Sequence, residues 1–132
     1  MTSPAELARS FHAALVDRDW DSLRRLFTDD ATWTLPGDNH ISGLAEGADA
    51  VVARARKIAA YGLSFELNHI LLSRENMALS LHNTAERDGV RLDEHLATVC
   101  RLRGGLIFAV ETFLSDVEGM DRFFSVEPPA TT

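Results

Sequence analysis

The side chains best equipped for proton chemistry stand on two neighbouring segments, MALSLHNTAER (77–87) and VRLDEHLATVCRL (90–102), joined by Asp88-Gly89. An Asp-Gly pair between two alternating segments is a strong signal for a two-residue hairpin turn. Such a turn pairs Arg87 with Val90 and therefore sets His82 directly opposite His95, with β-carbons ~5 Å apart. Two imidazoles that close titrate as a coupled pair, and neutral imidazole is the usual general base near pH 7. The competing reading is that they stack, bind water or satisfy nearby backbone. If His69 on the preceding segment joins them, three imidazoles on adjacent strands can hold Zn²⁺ or another transition metal. No sequence motif supports such a site, so no metal and no organic cofactor is expected.

A second turn, Gly104-Gly105, extends the pairing: Ala97 falls opposite Thr112, and His95 opposite Leu114. One face then holds Ala78, Ser80, His82, Thr84, His95, Ala97, Val99, Val110, Thr112 and Leu114, and the other Met77, Leu79, Leu81, Leu96, Cys100, Ile107, Ala109 and Phe113. An Arg74-Glu75 loop would set His69 opposite Ser80 and put Phe65 and Leu67 on the histidine face. Asp93 shares that face and can reach a cavity mouth, whereas Glu94 and Glu111 fall opposite, at a rim or in solvent. One extra residue in any strand reverses every face beyond it. Hydropathy alone turns the second, more apolar face inward.

The elements that carry these residues are legible. Ser3, Pro4 and Glu6 make a capping box that opens a helix whose Leu7, Phe11, Ala14 and Leu15 share one side. Asp19 caps a second short helix with Trp20, Leu23, Leu26 and Phe27 apolar. Alternation at Ala31, Trp33 and Leu35 predicts a strand stopped by Pro36-Gly37. Asp29-Asp30 thus reads as the corner between helix and strand, where an aspartate bonds its own turn, and not as an acidic dyad. After a polar loop, Gly47 and Asp49 start a third helix that Gly62 ends. Tyr61 closes that helix, four strands follow, and Ser115 or Asp116 caps a last helical turn. His12 and His40 are expected in solvent.

The whole chain bounds the answer. Its 132 residues form one domain, expected over 1–125, with a disordered tail at 126–132. A net charge of −7 with scattered Lys and Arg supplies no basic stripe for nucleic acid or for an anionic membrane. No apolar run reaches the ~20 residues of a membrane span, and no charged-then-apolar leader precedes the first helix, so a cytoplasmic location is expected. The single cysteine, Cys100, reads as a small buried hydrophobe. Helices followed by meandering strands make the fold class α+β, with three helices packed on one face of a curved antiparallel sheet.

The order FHAALVDRDWDSLRRLFTDDATWTLPG, then EGADAVVARA, then RGGLIFAVETFLSD resembles the SnoaL-like branch of the nuclear transport factor 2-like superfamily. The resemblance implies a cone-shaped α+β barrel of cystatin-like type, a pocket between helices and sheet, and a homodimer through the outer sheet face. In that superfamily the pocket residues of the last strand lie three, five and seven positions after the G-x-I isoleucine, here Val110, Thr112 and Leu114 after Ile107. This implies that the histidine face is the cavity wall and that Leu79, Leu81, Leu96 and Phe113 form the dimer surface.

The family's recognisable acid-base groups are missing. Ketosteroid isomerases use a tyrosine on the first helix, a base aspartate ending the first strand and a protonated aspartic acid on the sheet. The matching positions hold Phe11, Leu35 and either Val99 or Ala97. Epoxide hydrolases and cyclases place an acid where Thr112 stands, and a threonine hydroxyl is no base near neutral pH. The expectation is therefore a pocket enzyme, an isomerase, cyclase or hydrolase acting on a small apolar oxygenated substrate. His82 and His95 would move protons and Thr112 would orient a substrate oxygen, while Phe11, Leu15, Trp33, Phe65, Val99, Val110 and Leu114 shape the cavity. The alternative is a non-catalytic ligand-binding or dimerisation module, which the missing carboxylates favour.

Overall fold

The computed structural model describes residues 2–127. Helix α1 spans Pro4–Asp17, with the Ser3 hydroxyl accepting the Glu6 N–H at 3.2 Å. Helix α2 spans Trp20–Arg24 and is capped by the Asp19 carboxylate, which accepts the Ser22 N–H at 3.1 Å. Helix α3 spans Ala48–Ala60 and ends through Tyr61 into Gly62, whose φ of +85° suits a residue without a β-carbon. Helix α4 spans Val117–Phe123 under an Asp116 cap. Of the tail expected at 126–132, residues 128–132 lie outside the described residues, and the Val126 carbonyl accepts a hydrogen bond from the Tyr61 hydroxyl.

Six strands form one curved sheet that does not close on itself: β1 (Phe27–Leu35), β2 (Gly43–Glu46), β3 (Ser64–Leu72), β4 (Met77–Arg87), β5 (Val90–Arg103) and β6 (Leu106–Leu114). Their order is β2-β1-β6-β5-β4-β3. The β1–β6 pair is parallel and the rest antiparallel, so the sheet is mixed. Strand β2, inside the expected polar loop, is an addition; its exposed-exposed-buried-exposed pattern is too short to show a period. Strand β1 begins earlier than alternation suggested, so Asp29-Asp30 lies within it and not at its corner. Both aspartates are exposed and serve as clasps: Asp29 pairs with Arg24 at 2.8 Å, and Asp30 takes Arg103 at 2.6 Å and the Thr28 hydroxyl at 2.8 Å.

The turns hold as expected, and one bulge changes what they imply. Asp88 and Gly89 have φ of 53° and 79°, and the hairpin they close pairs His82 with His95. At Gly104-Gly105 the hairpin starts in the expected register, with Arg103 opposite Leu106 and Leu102 opposite Ile107. Arg101 then pairs with Ala109, leaving Phe108 as an extra residue in β6. Beyond it Thr112 faces Thr98, not Ala97, and Leu114 faces Leu96, not His95. Every face assignment carried from β6 into β5 and β4 therefore reverses.

The side of β4 and β5 that faces the helices is thus Met77, Leu79, Leu81, Asn83, Leu92, Glu94, Thr98 and Cys100, all buried. His82, His95, Ala97 and Val99 belong to the outer face. Leu79 and Leu81 are 0% and 3% exposed, which removes them from any surface through which two copies could meet; Phe113, at 53%, does lie outside. A second irregularity, between Leu67 and His69 in β3, sets Phe65 opposite Asn83 and leaves His69 opposite Ser80 on the outer side.

Helix α1 packs on β3 and β4, α3 on β1 and β2, and α4 on β5. Two apolar clusters result. One joins α1, α2 and α3 to the sheet through residues such as Phe11, Leu23, Val51, Leu79 and Ile107; the other gathers Leu35, Ile41, Tyr61, Leu92, Met120, Phe123 and Phe124 around α4. Trp33 and Phe65 pack against both. Among the described residues no helix is long and apolar enough to cross a membrane.

Candidate functional site

Where the two clusters meet, the packing leaves a cavity of about 70 Å³ between the helices and the inner sheet face. Its wall is largely apolar: Phe11 and Leu15 come from α1, Val51, Ala55 and Ile58 from α3, and Met120 and Phe124 from the C-terminal cap. The sheet contributes Trp33, Phe65, Val110 and Leu114. Among the described residues, the buried polar or charged side chains are Asn83, Glu94, Thr98 and Thr112, and all four line this cavity. Polar groups are costly to bury without partners, so their gathering on one wall marks the site.

Thr112 and Trp33 form one polar contact, the indole Nε1–H donating to the threonine Oγ1 at 2.9 Å. Arg54 of α3 holds Trp33 from behind, donating to its carbonyl at 3.0 Å with the guanidinium 5.2 Å from the ring centroid. Burial lowers the Arg54 pKa from its ordinary value.

Beside the Trp33–Thr112 contact stands a cross-strand pair, Asn83 on β4 opposite Glu94 on β5. Glu94 is 3% exposed. Its Oε1 accepts the Asp116 backbone N–H at 3.1 Å, which ties the carboxyl to the segment capping α4. Burial raises the Glu94 pKa above the ordinary carboxylate value, against the opposing effect of that N–H. Asn83 Oδ1 is buried and has no hydrogen-bond partner among the described residues. An amide acceptor in this state invites a donor from whatever enters the cavity.

Of the residues expected from the sequence, Phe11, Leu15, Trp33, Phe65, Val110, Thr112 and Leu114 line the cavity. Val99 does not; it sits on the outer face beside Ala78. His82 and His95 are also outside. Their rings stack at a centroid separation of 4.2 Å and an interplanar angle of 10°, and His82 Nε2 lies 2.6 Å from Asp93 Oδ1. The pairing was expected; its face was not, because of Phe108. Asp93 accordingly meets His82, not the cavity mouth. His12 is not free in solvent either: its Nε2 lies 2.9 Å from the Phe65 carbonyl, fastening α1 to β3, whereas His40 is exposed. Cys100 is buried, with its thiol pushed up to about 12 by desolvation, which leaves it unreactive.

Among the polar cavity residues, Glu94 was expected at a rim or in solvent, and Asn83 and Thr98 were given no role. A signal was present: Leu92, Glu94, Leu96 and Thr98 alternate on the same side as Leu79 and Leu81 once the Asp88-Gly89 turn is applied. Following the most apolar face inward would have carried Glu94 with it.

Comparison with known proteins agrees with this architecture. A Mycobacterium tuberculosis (H37Rv) protein, "Uncharacterized protein Rv0034", is 27% identical over 131 residues, covering 95% of this chain and all of the relative. The structure of Bal32a, from a soil-derived mobile gene cassette, superposes with a TM-score of 0.86 at 30% identity, over 92% of this chain and 95% of that one. A Xanthomonas campestris protein of unknown function with a cystatin-like fold gives 0.83 at 22% identity, over 94% and 99%. TerC, co-crystallised with polyporic acid, gives 0.79 at 14% identity, over 94% and 100%. The model of the SnoaL-like domain matches residues 8–110, the segment from within α1 to the middle of β6. The chain belongs to the SnoaL-like domain family.

Proposed function

We propose that the cavity receives a small, mainly apolar molecule bearing an oxygen function, and that the chain acts on it by acid-base chemistry as an isomerase, cyclase or hydrolase. The observation that carries this reading is Glu94: a carboxyl 3% exposed, in an otherwise apolar wall, opposite an unpartnered Asn83 Oδ1. A carboxyl whose pKa is raised by desolvation is better suited than an exposed one to take and return a proton. In this reading Glu94 moves the proton and Asn83 accepts a hydrogen bond from a substrate hydroxyl. Thr112, oriented by Trp33, holds a second oxygen, and Phe11, Leu15, Phe65, Val110 and Leu114 shape the apolar part. His82 and His95, stacked on the outer face, do not line the cavity and take no part in this proton transfer.

The cavity is smaller than the ~300–1,000 Å³ of typical small-molecule sites, so a ring-sized substrate enters by displacing wall side chains. TerC, whose structure holds polyporic acid, supports an aromatic or quinonoid compound as a first probe. The test is a panel of small cyclic ketones, enones, epoxides and hydroxyquinones assayed with wild-type and Glu94→Gln protein. Glu94→Gln should lower kcat by about 10²–10⁴-fold with little change in ligand-induced thermal shift. Unchanged turnover in that variant overturns the assignment.

A second reading, binding without turnover, is favoured by the bond from the Asp116 N–H to Glu94, which gives the carboxylate a structural task. It predicts thermal stabilisation by a bound compound and no conversion of it; multiple turnovers exclude it. A homodimer through the outer sheet face, in the cytoplasm, completes the proposal. Exposed Leu71, Leu72 and Phe113, at 54%, 58% and 53%, support that surface. Phe113→Glu should shift a dimer to monomer by light scattering, and a wild-type monomer at high micromolar concentration rules the surface out.

A further inference from the structure

The outer face of the β4–β5 hairpin carries a group of donors that the cavity does not use. A ring nitrogen of His82, an Asp93 carboxylate oxygen and a ring nitrogen of His95 all lie within 4.8 Å of one another. We propose that His82, Asp93 and His95 form a surface site for a transition-metal dication of Zn²⁺ type, with two imidazoles and one carboxylate as ligands.

Three features carry the assignment. The backbone N–H and C=O of His95 both bond toward Ser115, the N–H to the hydroxyl and the C=O to the Ser115 N–H, each at 2.9 Å. Toward β4, therefore, His82 and His95 form the closer, non-hydrogen-bonded type of antiparallel pair, which brings their side chains together. The rings already stack at 4.2 Å, and Asp93 already meets His82 at 2.6 Å, so a cation would replace one proton-mediated contact and settle the charge of all three. The donor set is also right in kind: two imidazoles with a carboxylate suit Zn²⁺, Ni²⁺ or Cu²⁺ and disfavour Mg²⁺ and Ca²⁺, which take all-oxygen shells.

The geometry needs a rotation as well as a contraction: rings stacked within 10° of parallel aim their nitrogen lone pairs side by side, so at least one must turn out of the stack for both to reach one ion. Ligands ~2.1 Å from a common ion stand roughly 3.0–3.4 Å from each other at tetrahedral or octahedral angles. Side-chain exposure of 27% for His82 and 63% for Asp93 leaves both able to rotate into that arrangement, while the hairpin register keeps their β-carbons in place. His69, opposite Ser80 one outward rung away, stays outside the group. Three protein ligands leave at least one coordination position open to water or to an incoming donor.

The experiment is calorimetric titration of the full chain with ZnCl₂ in a chelator-free buffer, with MgCl₂ as the contrast. The expected result is one Zn²⁺ per chain and no response to Mg²⁺. His82→Ala and His95→Ala should each weaken Zn²⁺ by roughly tenfold or more, since loss of even an outer-shell partner costs 10–100-fold; Asp93→Ala should weaken it less. His69→Ala and His40→Ala should leave it unchanged. Copper(II) substitution supplies an independent readout: hyperfine coupling from two nitrogens, falling to one in either histidine variant. Absence of saturable binding, or binding that survives in the His82→Ala/His95→Ala chain, overturns the site. Because these side chains are on the surface, circular dichroism should show every variant folded.

Discussion

Two rungs of the β4–β5 hairpin are neighbours in sequence and opposite in setting. On the inner rung Asn83 faces Glu94; on the outer rung His82 faces His95, with Asp93 alongside. The acidic residues of the two rungs, Glu94 and Asp93, are adjacent, yet burial raises the pKa of Glu94, while its bond to His82 lowers that of Asp93. Residue type at this hairpin does not announce a site; access to water does. A carboxyl kept from water is ready to exchange a proton, and one in water beside imidazoles is ready to take a cation.

The largest expected effect follows from the residue that assigns the faces. Deleting Phe108 removes the bulge and turns Val110, Thr112 and Leu114 away from the core side that they now share with Thr98 and Leu96. The variant should lose its cooperative thermal transition by circular dichroism. A folded deletion variant with an unchanged cavity would break the comparison at its root.

Next come two apolar truncations on opposite faces. Leu79→Ala, at a position 0% exposed, should cost about 2–5 kcal/mol in urea unfolding. Phe113→Ala, at 53% exposed, should cost about 1 kcal/mol or less when measured on the monomer. Reversed magnitudes would mean that the histidine face is the inner one. Trp33→Phe comes third: it removes the donor that orients Thr112 and should cost about 0.5–1.5 kcal/mol while loosening the cavity wall.

The smallest effect is the sharpest in sign. Because the folded pKa of Glu94 is raised, its contribution to stability is whole below the unfolded value and is lost as pH rises through the folded one. Glu94→Gln should therefore gain stability relative to wild type as pH rises from about 4 to 8. The folded pKa of Asp93 is lowered, so its contribution is present above the unfolded value and is lost as pH falls through the folded one. Asp93→Asn should then be the less stable protein at neutral pH, with the gap closing in acid. Parallel denaturation curves across pH check both; trends of the same sign would refute the contrast.

Much of the molecule was decided locally and was therefore legible in the chain. The Ser3 and Asp19 caps, the Gly62 helix end, the Asp88-Gly89 turn and the Asp116 cap depend on one or two side chains acting on the backbone beside them. Phe11 and Leu15 were legible for the same reason, through helical spacing, and Trp33 through alternation along its strand; Val110, Thr112 and Leu114 followed from the family resemblance, and Phe65 lines the cavity only because the irregularity in β3 offsets the reversal of faces. What only the tertiary structure decided is register across strands. The parallel contact of β1 with β6 and the short β2 join segments far apart in the chain, and no local propensity specifies them. The Phe108 bulge depends on how β5 and β6 fit against each other and the core, and a single unpaired residue exchanges inside for outside along two strands. That exchange moved the histidines to the surface and brought Glu94 to the cavity: side-chain direction in a sheet has a period of two, so a shift of one residue is enough to trade one chemistry for another.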